Sequence, residues 1–186
     1  MTFEEKLYKT SLIGALGGLL AWAARSLLPL FIPALQNLPQ ELYWISDFLD
    51  LTLIGMFIGA LYISFDEHIE TQQFSIWQVV AGAVGGLVAG AVGGWLLQWL
   101  EQKWAGQWFV PILAWAITGA TIGLVTGAIR HHLSPRRSLM SLLGGSVGAI
   151  IGGGISMSLG ERVPYLTHAL GLMIAGAGVA FGSTTA

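Results

Sequence analysis

The sequence lacks cysteine and is poor in charge. Without cysteine it can form no disulfide, no thiolate metal site and no cysteine nucleophile. Only 10% of its 186 residues are Asp, Glu, Lys or Arg, whereas 54% are hydrophobic. Soluble domains carry about 25% charged residues. The chain therefore has too little polar surface to cover a water-exposed globule.

An excess of positive charge is also missing. Lys and Arg number 8 against 10 Asp and Glu, which gives a formal net charge of −2. Nucleic-acid-binding domains usually carry a basic patch, so we expect no nucleic-acid partner. The sequence has no P-loop or H-E-x-x-H motif. We therefore expect no enzyme activity, no cofactor and no bound metal.

The sequence does contain long apolar runs. No charged residue occurs from Thr71 to Leu100 or from Trp104 to Ile129, and each stretch exceeds the roughly 20 apolar residues that cross a bilayer core. Hydropathy predicts six transmembrane helices, at about 10–33, 46–65, 76–100, 109–130, 138–159 and 165–183. The predicted fold is an all-α integral membrane protein with one membrane domain over residues 1–186.

Glycine is abundant, with 26 residues, and it recurs at similar positions in the predicted helices. The odd-numbered spans share a Gly-x-x-Gly motif that begins at Gly14, Gly82 and Gly145. The even-numbered spans share small residues four apart, which begin at Gly55, Gly119 and Gly171. We infer three tandem helical hairpins (about 10–65, 76–130 and 138–183) that form a pseudo-threefold bundle about the membrane normal. Chance similarity is the alternative, because such patterns recur in unrelated membrane helices.

Small residues four apart let helix backbones approach closely, and this contact supports helix association in lipid. On this basis we assign helix-packing roles to Gly14, Gly18, Gly55, Gly59, Gly82, Gly86, Gly90, Gly94, Gly119, Gly123, Gly127, Gly144, Gly148 and Gly152. The third span carries two adjacent small faces. We therefore expect it to contact two neighbours and to lie near the centre of the bundle.

Arg25 lies within the first span, where a charge at the bilayer centre costs roughly 2.5–3.5 kcal/mol. Asp47 and Asp50 begin the second span across the predicted hairpin. One interpretation is therefore an intramembrane ion pair with a gating or substrate-binding role. The other is that Pro29 and Pro33 end the first helix early, so that the Arg25 side chain extends to the membrane interface.

A basic cluster formed by Arg130, Arg136 and Arg137 lies between the fourth and fifth spans. It is a candidate site for anionic lipid headgroups, although a role in topology explains it equally well. With Lys6 and Lys9 it places more cations on the side of the termini than on the opposite side. The positive-inside rule therefore predicts that both termini are cytoplasmic.

The segment Leu113–Gly154 combines a Trp-x-x-x-Gly-x-x-x-Gly helix, a basic turn and a Gly-Gly-x-x-Gly helix. The residues that carry these motifs are Trp115, Gly119, Gly123, Arg130, Arg136, Arg137, Gly144, Gly145 and Gly148. The segment resembles a glycine-rich multi-span membrane module of bacterial proteins, including cyanobacterial ones, which is often linked to forkhead-associated or other signalling domains. The resemblance implies a bacterial inner membrane or a thylakoid-type membrane, and it transfers no catalytic residue.

These observations favour a non-enzymatic multi-pass membrane protein that acts as a scaffold or as an accessory subunit of a larger membrane assembly. Its expected partners are the lipid bilayer and either another membrane protein or further copies of the chain. The alternative is a small-solute or ion channel or transporter with a pathway along the six-helix bundle. A close-packed centre would support the scaffold. A water-filled axial cavity that contacts Arg25, Asp47 or Asp50 would favour transport.

Overall fold

A computed structural model describes residues 2–33, 39, 43–71, 75–130, 134–159 and 164–185 of the chain. These residues form the α-helices α1 (Phe3–Phe31), α2 (Tyr43–Thr71), α3 (Ile76–Trp104), α4 (Val110–Arg130), α5 (Pro135–Leu159) and α6 (Pro164–Thr184). All 6 helices are long and apolar enough to cross a membrane. The prediction of an all-α, multi-pass membrane protein is therefore confirmed.

The first two helices are longer than the apolar segments that predicted them. α1 begins at Phe3, and the Thr2 hydroxyl caps it by accepting a hydrogen bond from the Glu5 backbone N–H over 3.2 Å. Lys9 and Glu5 form an ion pair at 2.7 Å one turn later. At its other end α1 continues through residue 29 to Phe31, so Pro29 does not end it. Hydropathy locates the apolar part of a helix, whereas backbone hydrogen bonding continues into the polar flanks.

The helices pack as a closed ring in chain order. Each helix packs against its neighbours in the chain, and α1 packs against α6. The even-numbered helices α2, α4 and α6 also contact one another, so they form the inside of the ring.

The prediction that the third span lies near the centre is wrong. α3 does pack against two neighbours, α2 and α4, but its third face carries the exposed side chains Val84, Val88 and Val92. Glycine faces identify where backbones touch. They do not show how far a helix lies from the bundle axis.

Hydrogen-bonded hydroxyl groups join the helices at one end of the bundle. We call the end near Thr10 and Thr184 the termini side, and the opposite end the hairpin side. On the termini side the Thr10 and Thr184 hydroxyls are 3.0 Å apart, the Tyr62 and Ser183 hydroxyls are hydrogen-bonded, and the Ser141 hydroxyl donates to the Val179 carbonyl over 3.3 Å. These bonds join α6 to α1, α2 and α5 at buried positions, where polar groups need partners.

Candidate functional site

Glycine contacts between each even-numbered helix and the next helix in the ring fix the positions of the inner helices. A Cβ atom added at either glycine of such a pair would overlap the carbonyl oxygen of the other, so the two backbones touch directly. The pairs are Gly55–Gly86 between α2 and α3, Gly119–Gly145 between α4 and α5, and Gly176–Gly14 between α6 and α1.

The other glycines assigned to packing lie at helix interfaces too. On α3, Gly82, Gly90 and Gly94 face Gly59, Leu51 and Phe48 of α2. Gly18 of α1 faces Leu172 of α6, and Gly123 and Gly127 of α4 face Ser141 of α5. On α5, Gly144 and Gly148 face Gly178, and Gly152 faces Gly171.

Sequence reasoning missed Gly176, Gly178 and Gly182 of α6. Each would place a Cβ in close contact with the backbone of a neighbouring helix. Gly178 and Gly182 are four residues apart, so the small-residue spacing was visible in the sequence. The prediction counted in steps of four from Gly171, and that series contains neither of them.

The ring encloses a cavity of about 270 Å³. This volume is far above the ~10–15 Å³ that one water molecule requires and close to the lower end of small-ligand pockets, about 300 Å³. Most of its wall comes from the inner faces of the even-numbered helices: Leu51, Ile54 and Ile58 of α2, Trp115, Thr118 and Ile122 of α4, and Leu172, Ala175 and Val179 of α6.

Charged side chains line the hairpin end of this cavity. Arg25 and Asp50 both belong to its wall, and the Arg25 Nε–H donates to Asp50 Oδ2 over 2.7 Å. The structure thus brings together two of the three residues in the predicted ion pair, while the side chain of Asp47 lies outside the described residues. The Asp50 side chain is 10% exposed and the Arg25 side chain 36%.

Glu101 and His168 also line the cavity. The Ser156 hydroxyl oxygen lies 2.6 Å from His168 Nδ1. This hydrogen bond holds the His168 imidazole, on α6, against α5. Within the part of the chain that the structure describes, the other ring nitrogen, Nε2, makes no hydrogen bond. The sequence pattern did not connect these residues to Arg25, because Glu101 lies on α3 and His168 on α6, far from α1 along the chain.

The basic cluster is remote from the cavity lining. Arg136 and Arg137 are exposed in the first turn of α5, at the opposite end of that helix from Ser156. The Arg130 side chain lies outside the described residues. Within the ranges that the structure describes, no group of His, Asp and Glu side chains is placed to hold a metal ion.

No protein-family model matches the chain, and comparisons with curated proteins and with solved structures give no significant match. The resemblance of Leu113–Gly154 to a glycine-rich bacterial membrane module therefore stays a prediction. The structure supports the class of multi-pass, six-helix membrane protein.

Proposed function

We propose that the protein binds a small solute in the central cavity and provides a pathway for it across the membrane. The observation that carries this proposal is a cavity inside the helix ring that reaches Arg25 and Asp50. A close-packed centre would have favoured the scaffold or accessory subunit instead. Well-packed apolar residues often replace a buried ion pair with no loss of stability, so a pure scaffold has little need for this pair.

The residues that line the cavity differ in exposure between its two ends, and this difference indicates the side from which a solute would enter. Glu101 and Pro111 are exposed at the hairpin end of the cavity, which is where a solute would enter. The lining residues Ile58, Ile122 and Val179 are each at most 2% exposed and lie one helical turn nearer the termini side than Ile54, Thr118 and Ala175. Beyond them the hydrogen-bonded hydroxyls of the termini side close the bundle. This arrangement fits one state of an alternating-access cycle, open to the hairpin side and closed to the termini side.

We also propose that the three hairpins are related by a pseudo-threefold axis through the cavity. The glycine pairs support this arrangement, because Gly55, Gly119 and Gly176 each contact a glycine of the next helix in the same way. Lining residues at equal offsets from these glycines form three sets: Leu51, Trp115 and Leu172; Ile54, Thr118 and Ala175; Ile58, Ile122 and Val179. This register pairs Gly176, rather than Gly171, with Gly55 and Gly119. It also pairs Gly86, rather than Gly82, with Gly14 and Gly145.

The proposed pseudosymmetry is broken at the charged end of the cavity. At equal offsets from Gly14, Gly86 and Gly145, the outer helices carry Arg25, Leu97 and Ser156. One of three equivalent positions is therefore a cation. A repeated bundle with one charged position is suited to a single asymmetric binding site.

Cysteine accessibility tests the proposed function directly, because the natural chain has no cysteine that would react in the background. Ala175 lines the cavity and is 7% exposed, whereas Ala180 on the same helix is 0% exposed and packs with Tyr62 and Ile63. The two single variants, Ala175→Cys and Ala180→Cys, are a matched pair.

We expect a membrane-impermeant thiol reagent added from the hairpin side to modify the A175C variant much faster than the A180C variant. Such a result requires a water-filled path to the middle of the bundle. Equally slow modification of both variants would mean a closed, dry centre. That outcome would reject the pathway and favour the scaffold.

A further inference from the structure

We infer that the solute is a small zwitterion with an apolar group, the class that neutral amino acids represent. The inference rests on the proposed function and adds the chemical class of the ligand. It follows from three properties of the cavity: charges of both signs at one end, apolar walls behind them, and a small volume.

The charged end offers donors and acceptors side by side. Arg25 uses its Nε–H for Asp50, and a guanidinium group also carries N–H donors on its two terminal nitrogens. Those donors suit a carboxylate, which guanidinium binds through two parallel hydrogen bonds. The carboxylates of Asp50 and Glu101, which line the same cavity, suit an ammonium group.

A ligand with a net charge fits this site less well than a zwitterion. A cation would compete with Arg25 for Asp50 and be repelled by the guanidinium group. An anion would compete with Asp50 for Arg25 and be repelled by the carboxylate. Within a membrane, unpaired charges are costly. Glu101 is exposed to water at the mouth of the cavity, so the comparison depends on the Arg25–Asp50 pair. A zwitterion offers each of these two charges an opposite partner and leaves the net charge of the cavity unchanged.

The walls behind the charges determine the rest of the ligand. Leu51, Trp115 and Leu172 lie next along the inner helices toward the floor of the cavity. Burial of an apolar side chain against them is favourable, and the cavity of about 270 Å³ admits only a small one. His168 Nε2 provides a further polar contact at the charged end.

Protection of the A175C variant against thiol modification tests the inference with three probes that share one apolar group. L-leucine is zwitterionic, isopentylamine is the same skeleton without the carboxylate, and isocaproate is the skeleton without the amine. At ten times its dissociation constant, a ligand that blocks the cavity slows modification about tenfold. We expect L-leucine to reach this protection at a concentration at which isopentylamine and isocaproate protect less than about twofold.

The outcomes separate the two proposals. If the A175C variant is not modified even without a probe, the proposed pathway fails. If it is modified but L-leucine protects no better than isopentylamine or isocaproate, the zwitterion inference fails and the pathway stands.

Charge variants in the A175C background identify the groups that recognise the ligand. Arg25→Gln should remove the advantage of L-leucine over isopentylamine, and Asp50→Asn its advantage over isocaproate. Arg25→Lys, which keeps the positive charge, should retain the preference for L-leucine, and size-exclusion chromatography establishes that each variant is folded. If folded R25Q and D50N variants both keep the original preference, the ion pair is not the recognition site and the inference is overturned.

Discussion

The Nε–H of Arg25 and the Oδ2 of Asp50 lie 2.7 Å apart and join α1 to α2 at the hairpin end of the bundle. The two partners are not equally dependent on each other. With 36% of its side chain exposed, Arg25 has a route to water, whereas the Asp50 side chain is only 10% exposed. A long cationic side chain can extend to the interface when its partner is lost, but a short buried carboxylate cannot.

This asymmetry predicts that Arg25→Gln destabilises the fold more than Asp50→Asn. Breaking a fully buried ion pair costs about 3–5 kcal/mol, and partial exposure of Arg25 reduces this to roughly 1–3 kcal/mol for R25Q. Denaturation of the purified variants in detergent measures both values. The R25Q/D50N double variant, which leaves no unpaired charge, should recover most of the lost stability. A larger loss in D50N than in R25Q would contradict the prediction.

Much of the fold could be predicted from the sequence, because apolar length and the absence of charge determine how often the chain crosses the membrane. One of the two interpretations of Arg25 also named Asp47 and Asp50 as its candidate partners. Choosing Asp50 required the rotation of α2 about its axis, which depends on how Gly55 and Gly59 seat against α3. Hydropathy carries no information on that rotation.

The register of α6 could not be predicted for a related reason. Gly171, Gly178 and Gly182 contact α5, whereas Gly176 contacts α1. Small residues therefore cover two faces of one helix, and several spacings of four overlap. Only the closure of the ring by α1 and α6 shows which glycine faces which neighbour. The lining of the cavity could not be predicted for the same reason, since most of its wall comes from three separate helices, α2, α4 and α6.

Contact between the backbones of Gly86 and Gly55 predicts that Gly86→Ala destabilises the protein. A Cβ at position 86 would overlap the Gly55 carbonyl oxygen, and overpacking of this kind typically costs about 1–3 kcal/mol. Gly154 on α5 is the matched control, because a Cβ there would meet no atom within 4 Å. We expect G154A to unfold at the temperature of the natural protein or slightly above it. Equal melting temperatures for G86A and G154A would refute the close-contact assignment.

The hydrogen bond between Tyr62 and Ser183 predicts a modest loss of stability when either hydroxyl is removed. Tyr62→Phe and Ser183→Ala should each lower the free energy of unfolding by about 1 kcal/mol, the usual net value of one hydrogen bond. Because the bond lies at the closed end of the bundle, Y62F should also speed thiol modification of an A180C variant. Thr185→Ala, which removes an exposed hydroxyl bonded only within the C-terminal turn, is the control. If the A180C variant and the Y62F/A180C double variant are modified equally fast, the hydroxyl pair does not control closure.

The balance of cations predicts cytoplasmic termini. By their positions in the sequence, five cations lie on the termini side (Lys6, Lys9, Arg130, Arg136 and Arg137) and three on the hairpin side (Arg25, Lys103 and Arg162). Cations near the ends of spans resist translocation, so their excess determines orientation. A C-terminal fluorescent-protein fusion should fluoresce in bacterial cells, and the matching alkaline phosphatase fusion should be inactive. Because the excess is small, Arg136→Gln with Arg137→Gln should give measurable phosphatase activity, whereas Lys103→Gln should give none. An active phosphatase fusion to the natural chain would reverse the assigned orientation and, with it, the side from which the cavity opens.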